Sequence, residues 1–326
     1  MNFWRGKRVL VTGATGLVGS WLIKSLAGSG AYVVALVRDC DPQSELFRSG
    51  WLQRISVVNG VLENYRDAER AVCGHDVDTV FHLGAQTIVG TAYRNPLATF
   101  EVNIRGTWNM LEACRVHADL VKRVVVASSD KAYGAAVALP YVEEMPALGR
   151  YPYDVSKSCA DLIAQCYFHT YGLPVAVARC GNIYGGGDLN WSRIVPGTIR
   201  SLHQGARPVL RSDGTFTRDY VFVDDAVEAY RAIGENLGRG EVRGEAFNFG
   251  PAQPFRAREI VDTLRRLMHR EDLEAVVLDQ AHAEIRDQYL CSGKAERLLS
   301  WKPRYTLERG LAESVTWYRQ YFAAAA

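Results

Sequence analysis

The sequence lacks the features that mark membrane, secreted and nucleic-acid-binding proteins. No apolar run approaches the ~20 residues that a membrane-spanning helix needs. The first residues enter a strand pattern without the apolar stretch and cleavage site of a secretory leader. The 38 Lys and Arg residues nearly balance the 36 Asp and Glu residues and leave a net charge of +2, without the basic excess typical of nucleic-acid binding. We therefore expect neither a membrane nor a nucleic-acid partner.

The cysteines lack the pattern of a disulfide framework or a metal site. There are seven, an odd number, and neither CxxC spacing nor mixed Cys/His ligand spacing occurs. This pattern predicts reduced thiols in a cytoplasmic protein that binds no metal. The chain has 326 residues, 48% hydrophobic and 23% charged, which is an ordinary soluble composition and enough for about two domains.

The first half of the sequence alternates buried strands with amphipathic helices, as in a parallel sheet covered on both faces. The predicted strands are Lys7–Thr12, Tyr32–Val37, Ile55–Asn59, Thr79–Leu83, Arg123–Ser128 and Pro174–Arg179. The predicted helices are Leu17–Ala27, Tyr65–Val72, Leu97–Arg115 and Tyr153–Thr170. We expect an α/β fold with a doubly wound parallel sheet.

The alternation of strands and helices breaks after Gly185. We therefore predict a first domain over residues 1–184 and a smaller α/β region over residues 185–326. Segments near residues 220–250 are expected to return to the first domain, and Ala246–Phe249 is the strand that would rejoin the main sheet.

A Gly-rich turn, TGATGLVG, follows the first predicted strand and opens the first helix. Gly13 permits the tight turn, Gly16 lets a pyrophosphate approach the backbone, and Gly19 lets the helix pack on the strand. A glycine triplet alone is weak evidence, but its place between a strand and a helix predicts a dinucleotide site. At the end of the second strand Val37 is followed by Arg38 and Asp39. An acid there favours NAD and an Arg favours NADP, so the sequence leaves both cofactors open.

Two polar side chains, Tyr153 and Lys157, form a YxxxK pattern on a predicted helix. Residues four apart share one helix face, so the phenol and the ammonium group reach the same bound molecule. A neighbouring cation and a positive nicotinamide ring would lower the pKa of the phenol, which is ordinarily near 10. The pair is common by chance, but together with the Gly-rich turn it indicates a redox enzyme.

Five segments together resemble the extended short-chain dehydrogenase/reductases that act on nucleotide sugars. They are TGATGLVG, FHLGAQ, NIRGTWNMLEA, YDVSK and RDYVFVDDAVEAY, in that order over most of the chain. The resemblance implies a Rossmann domain, a C-terminal nucleotide-sugar domain, and a homodimer formed by two helices of each subunit. It also implies that Tyr153 acts as base on a sugar hydroxyl, that Lys157 holds the nicotinamide ribose, and that Ser129 completes a triad. Positions that contact the nucleotide diphosphate in the family correspond to Asn182, Arg218 and, more weakly, Arg286.

Within this family, the strand end VVVASSDKAYG places an acid and a base, Asp130 and Lys131, where 4,6-dehydratases carry such a pair. The Asp-Lys order and the segment GNIYGGGDLNWSRIVP most resemble the branch that acts on CDP-glucose. The expected reaction oxidises C4 of the sugar, eliminates water across C5 and C6, and returns the hydride to C6. We assign Lys131 as the neutral base at C5 and Asp130 as the protonated acid at C6.

Two departures and two alternatives stay open. The family commonly places an acid after the glycine of the third-strand loop, whereas Gly60 is followed here by Val61, and the usual acid at the end of the second strand is missing. A nucleotide-sugar 4-epimerase would use Tyr153 and Lys157 without needing Asp130 and Lys131. A non-catalytic NAD(P)-binding regulator on the same fold would need none of these four residues.

Overall fold

The computed structural model describes residues 2–135, 138–280 and 285–325. Its strands are β1 Arg8–Thr12, β2 Tyr32–Val37, β3 Ser56–Asn59, β4 Thr79–His82, β5 Arg123–Ala127, β6 Val175–Cys180, β7 Asn182–Tyr184, β8 Val209–Leu210, β9 Thr217–Arg218, β10 Tyr220–Phe222, β11 Ala246–Phe249, β12 Phe255–Arg256, β13 Val276–Val277 and β14 Asp287–Gln288. Its α-helices are α1 Leu17–Gly28, α2 Glu45–Arg48, α3 Tyr65–Cys73, α4 Val89–Arg94, α5 Pro96–Phe100, α6 Gly106–Val116, α7 Pro152–Tyr171, α8 Ile194–His203, α9 Val223–Asn236, α10 Ala257–Leu267, α11 Gly293–Leu299 and α12 Leu307–Ala325.

A seven-stranded parallel sheet forms the centre of the fold, in the order β11-β6-β5-β4-β1-β2-β3. Successive strand residues alternate between its two faces: Val9 and Val11 pack with α1 and α9, and Leu10 packs with α3 and α6. Because both faces are buried, the strands are almost continuously apolar. The predicted doubly wound, Rossmann-type sheet is confirmed. Ala246–Phe249 extends it by pairing with Val177–Cys180.

The strand order reverses between β1 and β4, which are neighbours in the sheet. From β1 the chain winds outward to β2 and β3, then crosses back to β4 and continues outward to β5 and β6. The loops that follow β1 and β4 therefore diverge and leave a crevice at the carboxyl ends of the strands. In sheets of this kind, ligands bind at that crevice.

The helix predicted over Leu97–Arg115 is interrupted. It comprises α5, a π-helical turn over Glu101–Arg105 and then α6. Asn103 lies in the π-helical turn, accepts a hydrogen bond from the Gln86 backbone N–H at 2.7 Å and donates to Ser156 Oγ at 2.9 Å. These contacts join the turn to the loop after β4 and to α7. Partners so distant in sequence give no local pattern, which is why the sequence predicts one continuous helix.

Beyond β6 the chain builds three small sheets: β10 with β7, β12-β9-β14, and β13 with β8. Strands β7 and β10 and helices α8, α10 and α12 form a separate apolar cluster that includes Tyr184, Val195, Ile199, Leu264 and Tyr318. Helix α9, in contrast, packs against the main sheet. No helix in the described ranges is long and apolar enough to cross a membrane.

Candidate active site

A cavity of about 970 Å³ lies along the carboxyl ends of the central strands. Most of the residues that the sequence singled out line this cavity: Gly13, Gly16, Gly19, Arg38, Asp39, Ser129, Lys131, Tyr153, Lys157, Asn182 and Arg218. Two others, Asp130 and Arg286, are not part of the wall. The fold therefore brings together segments separated by more than two hundred residues.

The Gly-rich turn has the close backbone packing that a pyrophosphate site requires. Gly13 has φ +67°, and a Cβ there would lie 2.8 Å from the backbone nitrogen of Gly84. A Cβ at Gly19 would overlap the carbonyl oxygen of Gly13. Gly16 caps the N-terminus of α1, whose free amides attract an anion. The residues present thus fit a dinucleotide, with its pyrophosphate at the start of α1.

His82 ends β4 and is buried beneath this turn. Its ring nitrogens lie 3.0 Å from Thr12 Oγ1 and 3.2 Å from Thr107 Oγ1. Burial, with a contribution from the charge of Lys157, lowers the pKa of His82 to about 3. The imidazole is therefore neutral, and it connects β1 to α6 as a structural residue.

Tyr153 and Lys157 lie in the first two turns of α7, which begins with Pro152 at a position where a missing N–H costs nothing. Lys157 is 5% exposed, and its Nζ donates to the carbonyl of Ala127 at 2.8 Å. Burial lowers the pKa of Lys157 to about 8. Lys157 therefore loses its proton at a lower pH than an exposed lysine does.

Burial raises the pKa of Tyr153 to about 12, and the charge of Arg193 and a hydrogen bond with Ser129 oppose that rise. In the protein alone, the phenol is therefore protonated at neutral pH. A further positive charge nearby is what the phenol needs to act as a base, and a nicotinamide ring would supply it.

Ser129, Asp130 and Lys131 lie where β5 gives way to a single 3₁₀ turn over Asp130–Tyr133. Ser129 Oγ accepts from the backbone N–H of Lys131 at 3.2 Å and donates to Asp130 Oδ1 at 2.9 Å. Asp130 is 2% exposed, and its Oδ2 has no hydrogen-bond partner among the described residues. Burial raises the pKa of Asp130, although Lys131 and Arg218 oppose the rise. This environment favours the protonated carboxyl that the acid role requires.

Hydrogen bonds with three neighbouring elements, α7, β11 and β6, fix this 3₁₀ turn. Ser158 of α7 donates to the carbonyl of Ala132 at 2.8 Å. Tyr133, at the end of the turn, donates to Asn248 at 2.7 Å and accepts from Arg179 at 2.8 Å. The acid and base are thus held against the helix that carries Tyr153.

Asp154 is a site residue that the sequence argument missed, although it lies inside the YxxxK pattern. It is 3% exposed, and burial raises its pKa to about 6. The charge of Lys131 opposes this rise, and the charge of Asp130 adds to it. Its side chain therefore belongs to the same electrostatic cluster as the predicted acid and base. The signal available in the sequence was an acid next to Tyr153, which by itself suggests only a helix N-terminal charge.

Arg193 is the second residue missed. It lines the cavity, pairs with Asp188 at 3.0 Å and donates to Thr87 at 3.3 Å. It follows β7 within GNIYGGGDLNWSRIVP, a segment noted for its resemblance and not for its charges. Its effect on Tyr153 depends on the fold, because the two residues lie on different elements.

The predicted diphosphate contacts are only partly brought together. Arg218 is 7% exposed, lines the cavity and donates to the carbonyls of Thr217 and Arg286 at 2.8 and 2.7 Å. Asn182 lines the same cavity. The side chain of Arg286 is exposed and lies 3.4 Å from Thr215 Oγ1. Arg286 is not among the residues that line the cavity.

At the adenosine end, Arg38 and Asp39 form an exposed ion pair of 2.6 Å, and both line the cavity. No acid follows Gly60, but the Asp67 carboxylate of α3 accepts from the backbone N–H of Val61 at 3.1 Å. A carboxylate from the next helix thus contacts this loop. Charged side chains of both signs therefore line this end of the cavity.

The chain matches a family model described as GDP-mannose 4,6 dehydratase over residues 10–314. The chain belongs to this family. A CDP-glucose 4,6-dehydratase of Salmonella typhimurium is 31% identical, over 98% of this chain and 92% of that protein. The predicted identity as a nucleotide-sugar 4,6-dehydratase, and thus as an enzyme, is confirmed.

Solved structures show the same fold over nearly the whole chain. A dTDP-glucose 4,6-dehydratase of Bacillus anthracis, in complex with NAD, superposes with a TM-score of 0.86 at 25% identity, covering 97% of both chains. A UDP-glucose 4-epimerase of Thermotoga maritima superposes with a TM-score of 0.88 at 26% identity, covering 97% of this chain and 99% of that one. Fold alone therefore does not separate dehydratase from epimerase, and the distinction rests on the site.

Proposed function

We propose that this dehydratase converts CDP-glucose to CDP-4-keto-6-deoxyglucose. The observation that carries the proposal is the Asp130–Lys131 pair, held beside Tyr153 at the end of β5. An epimerase has no use for an acid and a base at this place. The Salmonella relative, named for CDP-glucose, supports the choice of nucleotide.

In the proposed mechanism, Tyr153 takes the proton of the C4 hydroxyl while Lys157 holds the nicotinamide ribose. A nicotinamide held by Lys157 and the Gly-rich turn would supply the redox chemistry, taking up the hydride from C4 and giving it to C6. The C4 ketone makes the C5 proton acidic, and neutral Lys131 removes it. Asp130 protonates the C6 oxygen, which leaves as water, and Lys131 then returns its proton to C5. Burial of Asp130 and Lys157 supports these roles.

We further propose that Asn182 and Arg218 bind the diphosphate. In this proposal residues 1–184, with return segments near residues 220–250, form the cofactor domain, and residues 185–326 are mainly the substrate domain. Arg218 suits a phosphate because its guanidinium presents several N–H donors in one plane. Arg286 remains a proposed contact of the diphosphate. Its backbone carbonyl accepts a hydrogen bond from the Arg218 guanidinium and so helps to hold that side chain in place.

For the cofactor we propose NAD or NADP, discriminated by Arg38 and Asp39. Asp39 would accept from the ribose hydroxyls of NAD, and Arg38 would pair with the 2′-phosphate of NADP. Mass spectrometry of the released cofactor identifies which one is resident. Arg38→Ser should weaken NADP selectively, whereas Asp39→Asn should weaken NAD; equal effects on both would refute this assignment.

We propose a homodimer in which α6 and α7 pair with the same helices of a second copy. Leu97, Trp108 and Leu162 support it, because they are 70%, 42% and 55% exposed on the adjacent elements α5, α6 and α7. Light scattering should give twice the chain mass, and Leu162→Glu should give a monomer. A cytoplasmic location, also proposed, accords with seven free cysteines.

The experiment that tests the reaction is turnover of CDP-, dTDP-, GDP- and UDP-glucose followed by mass spectrometry of the products. Dehydration lowers the product mass by one water, whereas epimerisation, the second candidate because of the Thermotoga neighbour, leaves it unchanged. Lys131→Ala should abolish water loss, while the exposed Lys122→Ala serves as control. Native water loss by the Lys131 variant would refute the assigned base.

A further inference from the structure

The proposed reaction, on which this inference rests, moves one proton across the site in every turnover. Tyr153 gains a proton from the C4 oxygen, and Asp130 loses one to the departing C6 oxygen. The C5 proton leaves to Lys131 and comes back. The substrate becomes product plus water with no net proton change, yet Tyr153 ends with one proton too many and Asp130 with one too few.

Solvent has poor access to the group that must be reprotonated. Asp130 is 2% exposed and is not among the residues that line the cavity, whereas Tyr153 and Ser129 form part of its wall. The cations that act on Asp130 are Lys131 and Arg218, which favour its ionised form, whereas negative charges on Asp154 and Asp219 are repelled by an ionised Asp130. Bulk water therefore reaches the phenol more easily than it reaches the carboxyl.

The Ser129 hydroxyl interacts with both proton-exchanging groups. Its Oγ donates to Asp130 Oδ1 at 2.9 Å. Ser129 lines the same cavity as Tyr153, and its interaction with the phenol opposes the rise in the pKa of Tyr153. The backbone N–H of Lys131, bound to Oγ at 3.2 Å, holds the hydroxyl in place. A hydroxyl group both donates and accepts, so it passes a proton along without changing charge.

We propose that Ser129 carries the proton from Tyr153 to Asp130 and so resets the enzyme. The phenol O–H bond breaks as its proton passes to Ser129 Oγ, and the original Ser129 proton bonds to Asp130 Oδ1. Tyr153 becomes a phenolate, Asp130 becomes neutral, and Ser129 is unchanged. Each transfer thus restores both groups for the next turnover, in which Asp130 again gives a proton to the C6 oxygen and Tyr153 again takes one from the C4 oxygen.

Threonine and valine provide a matched test at this position. Ser129 has an extended backbone, φ −160° and ψ 159°, which β-branched residues adopt readily. Ser129→Thr keeps the hydroxyl group. Ser129→Val introduces a side chain with nearly the same shape as threonine but without a hydroxyl group. The holoenzyme variants are compared for steady-state turnover of the nucleotide sugar that the wild type dehydrates, over a range of imidazole concentrations.

We expect the Thr variant to stay within a few-fold of wild type and to show no dependence on imidazole. The Val variant should be slower by ~10²-fold, the lower range for a lost proton-transfer group. Imidazole should raise its rate in proportion to concentration, because the small base and its conjugate acid carry the proton instead. Ser129→Ala adds no bulk, and its rate should show the same dependence on imidazole concentration. It replaces the Val variant in the test if valine disturbs the 3₁₀ turn.

Two results would overturn the relay. Equal rates for Thr and Val variants would show that the hydroxyl is not needed. A slow Val variant that imidazole does not accelerate, with cofactor content unchanged, would show that Ser129 only positions Tyr153. Failure of the proposed function gives a different result, namely no water loss from any nucleotide sugar by the wild type.

Discussion

Arg179 and Asp161 form a buried, two-pronged ion pair. Arg179 Nε and Nη2 lie 2.7 and 3.0 Å from the Asp161 carboxylate oxygens. Asp161 is one helical turn after Lys157, whose pKa its charge raises against the effect of burial. Arg179 also donates to the Tyr133 hydroxyl at 2.8 Å. The pair therefore connects α7 to the 3₁₀ turn that carries Asp130.

Removing one partner of this pair should cost much more than removing both. Asp161→Asn leaves a buried guanidinium without its counter-charge, so we expect ~3–5 kcal/mol less stability in urea unfolding. The double variant Asp161→Leu with Arg179→Met should lose clearly less. Glu241→Gln, which breaks the exposed pair with Arg239, should leave the unfolding midpoint unchanged. Equal losses for the single and double variants would contradict this account.

The sequence predicted the parts of the site that local patterns encode. The Gly-rich turn and the Tyr153/Lys157 pair each lie within a short segment, where spacing alone places their side chains. The electrostatic effects of Lys131 on Asp154 and of Arg193 on Tyr153 depend on how separate elements pack. The π-helical turn at Asn103 likewise depends on tertiary hydrogen bonds. Such features are absent from any single segment, so the sequence could not indicate them.

The activity should fall as pH rises through about 8, because Lys157 then loses its charge. Its pKa is lowered to about 8 by burial, so the cation is complete only below that pH. Lys157→Arg keeps its charge, and the decline should therefore shift to higher pH. Lys157→Met should lose activity by about 10²-fold, with Lys122→Met as an exposed control. The pH dependence of kcat tests this, and an unshifted decline in the Arg variant would assign it to another group.

Asp154 should destabilise the protein as pH rises between about 4 and 6. Its pKa is about 6 when folded and 3.8 in an unperturbed chain, so over this range the unfolded state ionises first. The difference between these two pKa values corresponds to about 3 kcal/mol of destabilisation, which is complete above pH 6 and absent below pH 4. Asp154→Asn should therefore be more stable at neutral pH and lose this pH dependence. Urea unfolding across the range measures it, with exposed Asp119→Asn as control; a wild-type-like pH curve in the variant would refute the account.

Two glycines at opposite ends of α1 should respond to alanine in opposite ways. A Cβ at Gly19 overlaps the Gly13 carbonyl oxygen, a backbone atom that moves only if the dinucleotide turn moves. A Cβ at Gly28 meets its nearest atom, on the Trp51 ring, at 3.7 Å, an ordinary contact. Gly19→Ala should lower stability by ~1–3 kcal/mol and resident nicotinamide by at least about tenfold. Gly28→Ala should raise stability by ~0.4–1 kcal/mol, because alanine restricts the unfolded chain, and should keep its cofactor.

Urea unfolding and the cofactor released from each purified variant measure both effects. Full nicotinamide content in Gly19→Ala would show that the pyrophosphate does not depend on the close approach of α1 to the turn. A loss of cofactor in Gly28→Ala as well would point to the helix as a whole. The expected split, with loss at Gly19 alone, ties cofactor binding to the contact between Gly19 and Gly13, because the two substitutions make the same chemical change in the same helix.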